Sequence, residues 1–340
     1  MNFYKNKKVL VTGGTGLIGV PLVTKLIRKG ARVVVASADS RNRYEEIKKR
    51  IPEFNHVFYE QCNLENYDNC KEATMGMDYV FQLAGSKGAG SIGTSKAATF
   101  LTSHILINLN MLKAAKENKV KKYLLTSTVG VYPPGSNYTE EVNIFSEPPA
   151  EGDKYSAWAK RISELASEAY AKEFNWKGVV IVRPGQCYGP WDNFDKTTGM
   201  VVGSLINKFN SAEYNTVVVC GKDNIRDFTY SEDVAFGMLL ALEKSGNNEV
   251  FNLSIGTDYS IQQLVSYIQQ YSRLTKKIIW EVSPPSSRSL NITKARKILG
   301  FNPTVELKGG IRETVGWYIE NKKIVNIRYN AFKEKSDELG

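Results

Sequence analysis

The chain contains few of the residues that bind metal ions or form disulfide bonds. Its 340 residues include only four cysteines and two histidines. The cysteines are widely scattered, and no Cys-x-x-Cys pair or Cys/His cluster occurs. This pattern argues against a metal site and a disulfide framework, so we expect reduced thiols and a cytoplasmic location.

Long apolar runs are also absent. No stretch approaches about 18 uninterrupted apolar residues, so the sequence predicts no transmembrane helix. Residues 1–8 carry no apolar signal segment, and the first strand-like run begins at Val9. With 42% hydrophobic and 24% charged residues, the composition is typical of a globular protein that buries a large core.

Acidic residues are outnumbered by basic ones, and the formal net charge is +10. The positive charge is spread along the chain, without an arginine-rich arm or a platform of interleaved aromatic residues. This distribution favours an anionic small-molecule substrate over a nucleic acid.

Residues 7–37, KKVLVTGGTGLIGVPLVTKLIRKGARVVVAS, predict a strand, a glycine-rich turn, a helix and a second strand. In such a unit Gly13 permits the tight turn, Gly16 lets a pyrophosphate approach the backbone, and Gly19 lets helix and strand pack closely. The N–H groups that begin the helix would face the phosphates. The segment therefore predicts a dinucleotide site.

The end of the second strand bears on the choice between NAD and NADP. An acidic residue there would bind the ribose 2′-OH and repel a 2′-phosphate. Ser37 holds this place by register, and Asp39 follows two residues later. Arg41 and Arg43 come next and could accept a phosphate. The pattern favours NAD and leaves NADP as the alternative.

Three further apolar runs, MDYVFQLAG, KYLLTSTVGVY and GVVIVRPG, predict buried strands, and residues 100–118 predict a helix between the first two. Alternating strands and helices indicate a parallel sheet that is covered on both faces. Ligands of such sheets bind beyond the carboxyl ends of the strands.

Eight motifs give the chain a wider resemblance. They are TGGTGLIG, VFQLAG, TSTVGVY, AKRISE, RPGQCYGP, IRDFTYSEDVA, FNLSIGTDYSI and LGFNPTVELKGGIRETVGWY, which together cover about residues 7–318. In this order they resemble the extended short-chain dehydrogenases/reductases, in the branch of nucleotide-sugar epimerases and dehydratases. The resemblance implies an α/β fold, in which a Rossmann doubly wound parallel sheet carries a smaller mixed α/β lobe for the substrate.

On this resemblance, residues 1–186 form the dinucleotide-binding domain, with a return strand near residues 249–255. Residues 187–325 supply most of the substrate lobe, and residues 326–340 are expected to form a surface tail. A homo-oligomer, a dimer or a tetramer, is also implied.

The resemblance implies NAD as cofactor, with NADP as the alternative, and a set of residues to hold it. These are Gly13, Thr15, Gly16, Leu17, Ile18, Gly19, Asp39, Arg41, Asn63, Leu64, Leu83, Ala84, Gly85 and Lys160.

For catalysis, the resemblance implies a threonine that binds the sugar hydroxyl, a tyrosinate that takes its proton, and a lysine that lowers the pKa of the tyrosine. Thr128 and Lys160 match, but Ser156 stands four residues before the lysine and Tyr155 stands five before it. On a regular helix, residues five apart point about 140° apart. We predict Tyr155 as the base, aligned by non-helical backbone at the helix start or by one i→i+5 turn. Ser156 is the rival, which could act only through a water.

The resemblance also implies a set of substrate-binding residues. These are Lys87, Gln186, Lys208, Arg226 and Arg288. The two arginines resemble those that hold the diphosphate of a nucleotide sugar through charge-assisted hydrogen bonds.

Departures from the family's patterns narrow the function. The 4,6-dehydratases carry an Asp-Glu pair after the threonine, where this chain has Val129 and Gly130. GDP-fucose synthases, which YGPWDNFD resembles, use a Cys and a His at places held here by Gly130 and Gly199.

What remains is oxidation or reduction at one carbon, C4, as in GDP-heptose 4-dehydrogenases. This reading favours a GDP-sugar and a place in surface polysaccharide or glycoconjugate biosynthesis. A nucleotide-sugar 4-epimerase is the alternative. A non-catalytic dinucleotide-binding module is the alternative of another class, and the displaced tyrosine argues for it.

Overall fold

The computed structural model describes residues 2–85, 95–325 and 327–329. The strands are β1 (Lys8–Thr12), β2 (Arg32–Ser37), β3 (Phe58–Gln61), β4 (Tyr79–Gln82), β5 (Lys122–Thr126), β6 (Val179–Pro184), β7 (Gln186–Tyr188), β8 (Thr216–Cys220), β9 (Ile225–Arg226), β10 (Phe228–Tyr230), β11 (Glu249–Leu253), β12 (Tyr259–Ser260), β13 (Lys277–Glu281) and β14 (Ser287–Arg288).

The α-helices are α1 (Gly19–Arg28), α2 (Arg41–Arg50), α3 (Tyr67–Thr74), α4 (Ala97–Glu117), α5 (Lys154–Glu173), α6 (Val201–Phe209), α7 (Ser231–Lys244), α8 (Ile261–Tyr271) and α9 (Leu307–Asn321). Within the part of the chain that the structure describes, no helix combines the length and apolarity needed to cross a membrane.

Seven strands form one parallel sheet in the order β11-β6-β5-β4-β1-β2-β3. Strand order reverses beside β1, because β2 lies on one side of it and β4 on the other. In open α/β sheets this switch point opens a crevice beyond the carboxyl ends of the strands. The predicted Rossmann α/β fold is confirmed.

Successive side chains along a strand point to opposite faces of the sheet, and each face is covered by its own apolar layer. Val9 and Val11 of β1 face the layer that α1 and α7 cover. Leu10, between them, faces the opposite layer, which α3 and α4 cover. The central strands β4 and β6 are buried along their whole length. They are flanked by apolar layers on both faces, which explains why their sequences are nearly continuous apolar runs.

A separate apolar cluster holds the smaller lobe together. It joins α6, α8 and α9 to strands β8 and β10. Strand β8 pairs with β13 in parallel, and β9 lies between β12 and β14. Helix α8 begins with a capping box, in which the side chains of Ser260 and Gln263 each accept a hydrogen bond from the other's backbone N–H.

The chain returns to the large sheet after entering the smaller lobe. Strand β11 pairs with β6 at the sheet edge, where the sequence predicts a return strand. Residues 327–329 come back as well. Ile327 packs against the α1 and α7 layer, and the backbone N–H of Tyr329 donates to Asp39 Oδ1 at 2.6 Å. These three residues, where the sequence predicts a surface tail, are half-buried against the large domain.

A buried ion pair lies under the carboxyl ends of β5 and β6. Arg183 Nη2 is 2.6 Å from Glu164 Oε2, and the two side chains are 5% and 6% exposed. Glu164 also accepts a hydrogen bond from Ser127 Oγ. Arg183 Nη1 donates to the hydroxyl of Tyr132 at 2.9 Å, and that hydroxyl donates to Asn252 at 2.9 Å. The network joins α5 to strands β6 and β11 and to the segment that follows β5.

Removing one charge of this pair should leave the other buried without compensation. We expect Arg183→Met to lower the free energy of unfolding by about 3–5 kcal/mol. The double variant Arg183→Met/Glu164→Met should lose less than the two single losses combined, because no unpaired charge remains. Urea unfolding of the four proteins measures this, and additive losses would show that the two side chains do not act as a pair.

Candidate active site

A cavity of about 370 Å³ lies beyond the carboxyl ends of the central strands. Its walls come from the segments after β1, β2, β4, β5 and β6, from the start of α5, and from β14 of the smaller lobe. Such a position is where ligands of doubly wound sheets bind. The cavity therefore holds the candidate site.

The glycine turn after β1 forms one end of the cavity. Gly13 has a φ of +64°, the left-handed conformation that favours glycine. A Cβ added to Gly19 would lie 2.3 Å from the carbonyl oxygen of Gly13, so this position tolerates no side chain. A Cβ added to Gly16 would meet only that same oxygen, at 3.3 Å, and would otherwise point into open space. Gly16 thus keeps room for a ligand rather than for packing.

Helix α1 begins directly after this turn, and no side chain caps its first turn. N–H groups at a helix start that lack a cap suit an anion, because the helix dipole is positive there. The turn and the helix start together fit the pyrophosphate of a dinucleotide.

Asp39 is buried at the same end of the cavity. Its Oδ2 accepts from Thr15 Oγ1 at 2.6 Å, and its backbone N–H donates to Ser37 Oγ at 3.2 Å. Its Oδ1 accepts from the backbone of Tyr329. A carboxylate in this place fits the ribose hydroxyls of NAD and would repel the 2′-phosphate of NADP.

The two arginines that could have accepted a 2′-phosphate do not line the cavity. The guanidinium of Arg41 lies over the rings of Tyr44 and Tyr59, and its Nε is 3.4 Å from Glu45. Arg43 is buried under the ring of Trp191, and burial lowers the pKa of Arg43 to about 10. The structure therefore does not bring the predicted Arg41 to the cofactor, and instead Arg328 lines this end of the cavity.

Thr128 and Lys160 both line the cavity. Thr128 follows β5, and its Oγ1 accepts from the N–H of Gly130 at 3.2 Å. Lys160 projects from α5, and its Nζ donates to the carbonyl oxygen of Thr126 at 2.7 Å. Burial lowers the pKa of Lys160 to about 8, and the charge of Glu164 offsets part of that effect.

The structure does not bring Tyr155 and Lys160 together. Helix α5 begins at Lys154, whose φ of −40° and ψ of −61° are already helical, and it runs as a regular α-helix to Glu173. Neither of the two local devices expected to realign the pair is present in this described segment. Ser156, four residues before the lysine, lines the cavity, and Tyr155 does not.

Arg288 and Arg226 lie side by side but differ in what they reach. They pair in register on β14 and β9. Arg288 lines the cavity, and its Nη1 is 2.5 Å from Asp153 Oδ2. The guanidinium of Arg226 donates to Ser286, at 3.0 Å to its carbonyl oxygen and 2.8 Å to its hydroxyl, and stays outside the cavity lining. Burial and the charge of Arg288 lower the pKa of Arg226.

Some of the remaining predicted residues line the cavity and others do not. Those that line the cavity are Leu17, Ile18, Asn63, Leu64, Leu83, Ala84, Gly85 and Gln186. Lys208, on α6, does not line it, and Lys87 lies outside the described residues. No cluster of three or more His, Cys, Asp or Glu side chains suited to a metal occurs in the described ranges.

Sequence reasoning missed Asp153, which lines the cavity at the start of α5. A Cβ added to Gly130 would lie 3.6 Å from Asp153 Cγ and 3.6 Å from Thr128 Cγ2, so the two side chains flank this glycine. The signal in the sequence was a carboxylate directly before the helix that carries Lys160. The resemblance implies no role for that position, so the sequence alone does not single out Asp153.

Comparisons with known proteins agree with this geometry. The chain matches the NAD dependent epimerase/dehydratase family over residues 9–254, which is more than half of its length. It is 24% identical to GDP-L-fucose synthase 1 of Arabidopsis thaliana, over 93% of this chain and 94% of the other. It is 25% identical to dTDP-4-dehydro-6-deoxy-D-allose reductase of a Streptomyces species, over 94% of this chain and 98% of the other.

Solved structures show the same architecture. UDP-glucose 4-epimerase of Thermotoga maritima, solved with UDP-glucose, superposes with a TM-score of 0.76 at 27% identity, covering 93% of this chain and 99% of that one. The dTDP-glucose 4,6-dehydratase DesIV of Streptomyces venezuelae, solved with NAD, shares the fold with a TM-score of 0.81 at 20% identity, over 93% and 98% of the two chains. The chain therefore belongs to the NAD-dependent epimerase/dehydratase family.

Proposed function

We propose that the protein oxidises or reduces a nucleotide-activated sugar at C4, with a GDP-sugar favoured, in surface polysaccharide or glycoconjugate biosynthesis. The observation that carries the proposal is a single cavity. It joins the glycine turn and Asp39 at one end to Thr128, Gln186 and Arg288 at the other. In this proposal a dinucleotide and a sugar diphosphate share one cavity.

Each end of the cavity has a separate task in this proposal. The glycine turn would hold the pyrophosphate of NAD, Asp39 its adenosine ribose, and Lys160 its nicotinamide ribose. NAD, when bound, supplies the acceptor or donor of a hydride. Thr128 would hydrogen-bond the sugar hydroxyl, and Arg288 would bind the diphosphate.

The lining beside Thr128 supports chemistry at a single carbon. Val129 and Gly130 line the cavity where the resemblance places the acidic pair of a 4,6-dehydratase. Gly199, where it places a histidine, has no room for a side chain, because its Cβ would lie 2.4 Å from the carbonyl oxygen of Asp195. Neither elimination nor proton exchange at a neighbouring carbon has its usual side chains here.

Two alternatives have specific support. The likeness to UDP-glucose 4-epimerase of Thermotoga maritima favours a 4-epimerase, which would return the hydride to the opposite face of the sugar. The serine at position 156 favours a non-catalytic dinucleotide-binding module, because a serine hydroxyl is a far weaker acid than a phenol.

A panel of GDP-, UDP- and dTDP-sugars distinguishes these functions. With NAD present, we expect a GDP-sugar to give reduced nicotinamide absorbance and a product lighter by two hydrogens in mass spectrometry. A product of unchanged mass but altered chromatographic mobility, without net reduction of NAD, would establish the epimerase instead. Binding without conversion of any sugar, in either direction of reaction, would establish the binding module.

Arg288 and Arg226 provide a matched pair for testing the diphosphate site. Arg288→Met should weaken GDP binding by about 1.5–3 kcal/mol, the range for hydrogen bonds to charged groups. Arg226→Met should change it much less, because the guanidinium of Arg226 is engaged by Ser286 and does not line the cavity. Calorimetric titration with GDP measures both. Equal losses would place the diphosphate against both arginines.

The lowered pKa of Lys160 predicts how NAD affinity varies with pH. A free lysine keeps its proton to about pH 10.4, whereas Lys160 loses its proton as the pH rises through about 8. The ammonium form has more donors for ribose hydroxyls and attracts the pyrophosphate, so NAD binding should raise the pKa of Lys160. We expect affinity to fall above about pH 8, by at most about tenfold per pH unit. Calorimetry should show this slope in the wild type and a flat profile in Lys160→Met, and a flat wild-type profile would contradict it.

A further inference from the structure

The side chain four residues before Lys160 cannot replace a phenol. Ser156 Oγ donates to the carbonyl oxygen of Asp153 at 3.0 Å, so its hydrogen points back into the first turn of α5. A serine hydroxyl also stays protonated near neutral pH. The proposed reaction nevertheless removes a proton from a sugar hydroxyl, and this proton needs an acceptor beside Thr128.

Asp153 is the carboxylate placed for that role. It lines the cavity directly before α5, and its side chain is 30% exposed. It flanks Gly130 together with Thr128, at 3.6 Å from the place where a Cβ of that glycine would be. A larger residue at position 130 would occupy the space between Asp153 and Thr128. Because position 130 is a glycine, no side chain separates Asp153 from Thr128 there.

The charges around Asp153 are mostly positive. Arg288 pairs with it at 2.5 Å across the boundary between the large domain and the smaller lobe. Arg226 lies beside Arg288, and the charge of Asp153 acts on its guanidinium. On the side of α5, Lys154 is paired with Glu151 at 3.2 Å. Asp153 is thus paired with one guanidinium and lies near a second, and this positive charge favours entry of an anion such as a diphosphate.

We propose that Asp153 accepts the proton of the sugar hydroxyl, and that Arg288 links this step to binding of the substrate's diphosphate. The inference rests on the proposed function. The O–H bond breaks towards a carboxylate oxygen of Asp153 as the carbonyl double bond forms, and the C–H electron pair leaves as a hydride, for which NAD, when bound, would supply the acceptor. In the reverse reaction the carboxylic acid of Asp153 returns the proton.

Arg288 makes the step depend on the substrate. Without a diphosphate, its guanidinium pairs with Asp153, and a carboxylate oxygen held in this ion pair is not free to approach a sugar hydroxyl. A diphosphate carries more negative charge and competes for the same guanidinium. The contact between Arg288 and Asp153 is partly exposed, so exchanging it costs little. Diphosphate binding therefore frees the carboxylate as the sugar arrives.

The first experiment uses the nucleotide sugar that the panel identifies as substrate. Asp153→Asn should lower kcat by about 10² to 10⁴ and leave NAD affinity unchanged. Asp153→Glu should keep part of the turnover and shift the acid limb of the kcat–pH profile. Glu151→Gln is the matched control, because it removes an exposed carboxylate two residues away that does not line the cavity.

Three outcomes would overturn this role. The first is full turnover in Asp153→Asn. The second is loss of turnover in Tyr155→Phe while Asp153→Asn stays active. A rise in KM with kcat and its pH profile unchanged would show that Asp153 merely positions Arg288. If the wild type converts no sugar, that result contradicts both the proposed function and the assignment of Asp153 as the base.

The second experiment needs no turnover. Inorganic pyrophosphate titrated into the NAD-loaded wild type, Asp153→Asn and Arg288→Met tests the competition for Arg288 by calorimetry. Asp153→Asn should bind pyrophosphate more tightly than the wild type, by about two- to fivefold, the range for a partly exposed ion pair. Arg288→Met should bind it more weakly. Equal or weaker binding in Asp153→Asn would overturn the link between the two side chains.

Discussion

The buried contact between Arg183 and Glu164 sets the geometry on which the catalytic end of the cavity depends. Glu164 lies one turn after Lys160 on α5 and also binds Ser127, the neighbour of Thr128. Neither charge can leave the other without a large desolvation penalty, so helix and loop cannot shift independently. This buried contact holds Thr128 and Lys160 in place, although Arg183 and Glu164 do not themselves line the cavity.

The start of the same helix is held in a different way. Asp153 is tied to the smaller lobe through one partly exposed ion pair, while Lys160, about two turns further on, is packed in the interior. A contact of the first kind contributes little to stability and exchanges partners readily, whereas the second kind is rigid. The site therefore combines a rigid, buried part around Lys160 with a partly exposed ion pair, between Asp153 and Arg288, that can exchange partners.

Much of this arrangement could be predicted from the sequence. The glycine turn, Thr128 and Lys160 lie in short segments whose local pattern determines their place, and the order of the motifs indicates the sheet. The distinction between Arg226 and Arg288 could not be predicted, since the strands are in register and the two guanidinium groups differ in their partners, which for Arg226 are Ser286 and the carbonyl oxygen of Ile225. Tyr155 was misplaced because the residue where a helix begins is decided by its surroundings, which a sequence pattern locates poorly.

The contact between Tyr329 and Asp39 joins residues 290 positions apart and has a consequence for synthesis. Chains fold from the amino terminus as they emerge from the ribosome. The large sheet lacks its edge strand until residue 253 has emerged, and the ribose end of the cavity lacks one wall until residue 329 has emerged. A ligand stabilises only the folded form that binds it. The site that would bind NAD is therefore complete only after residue 329 has emerged.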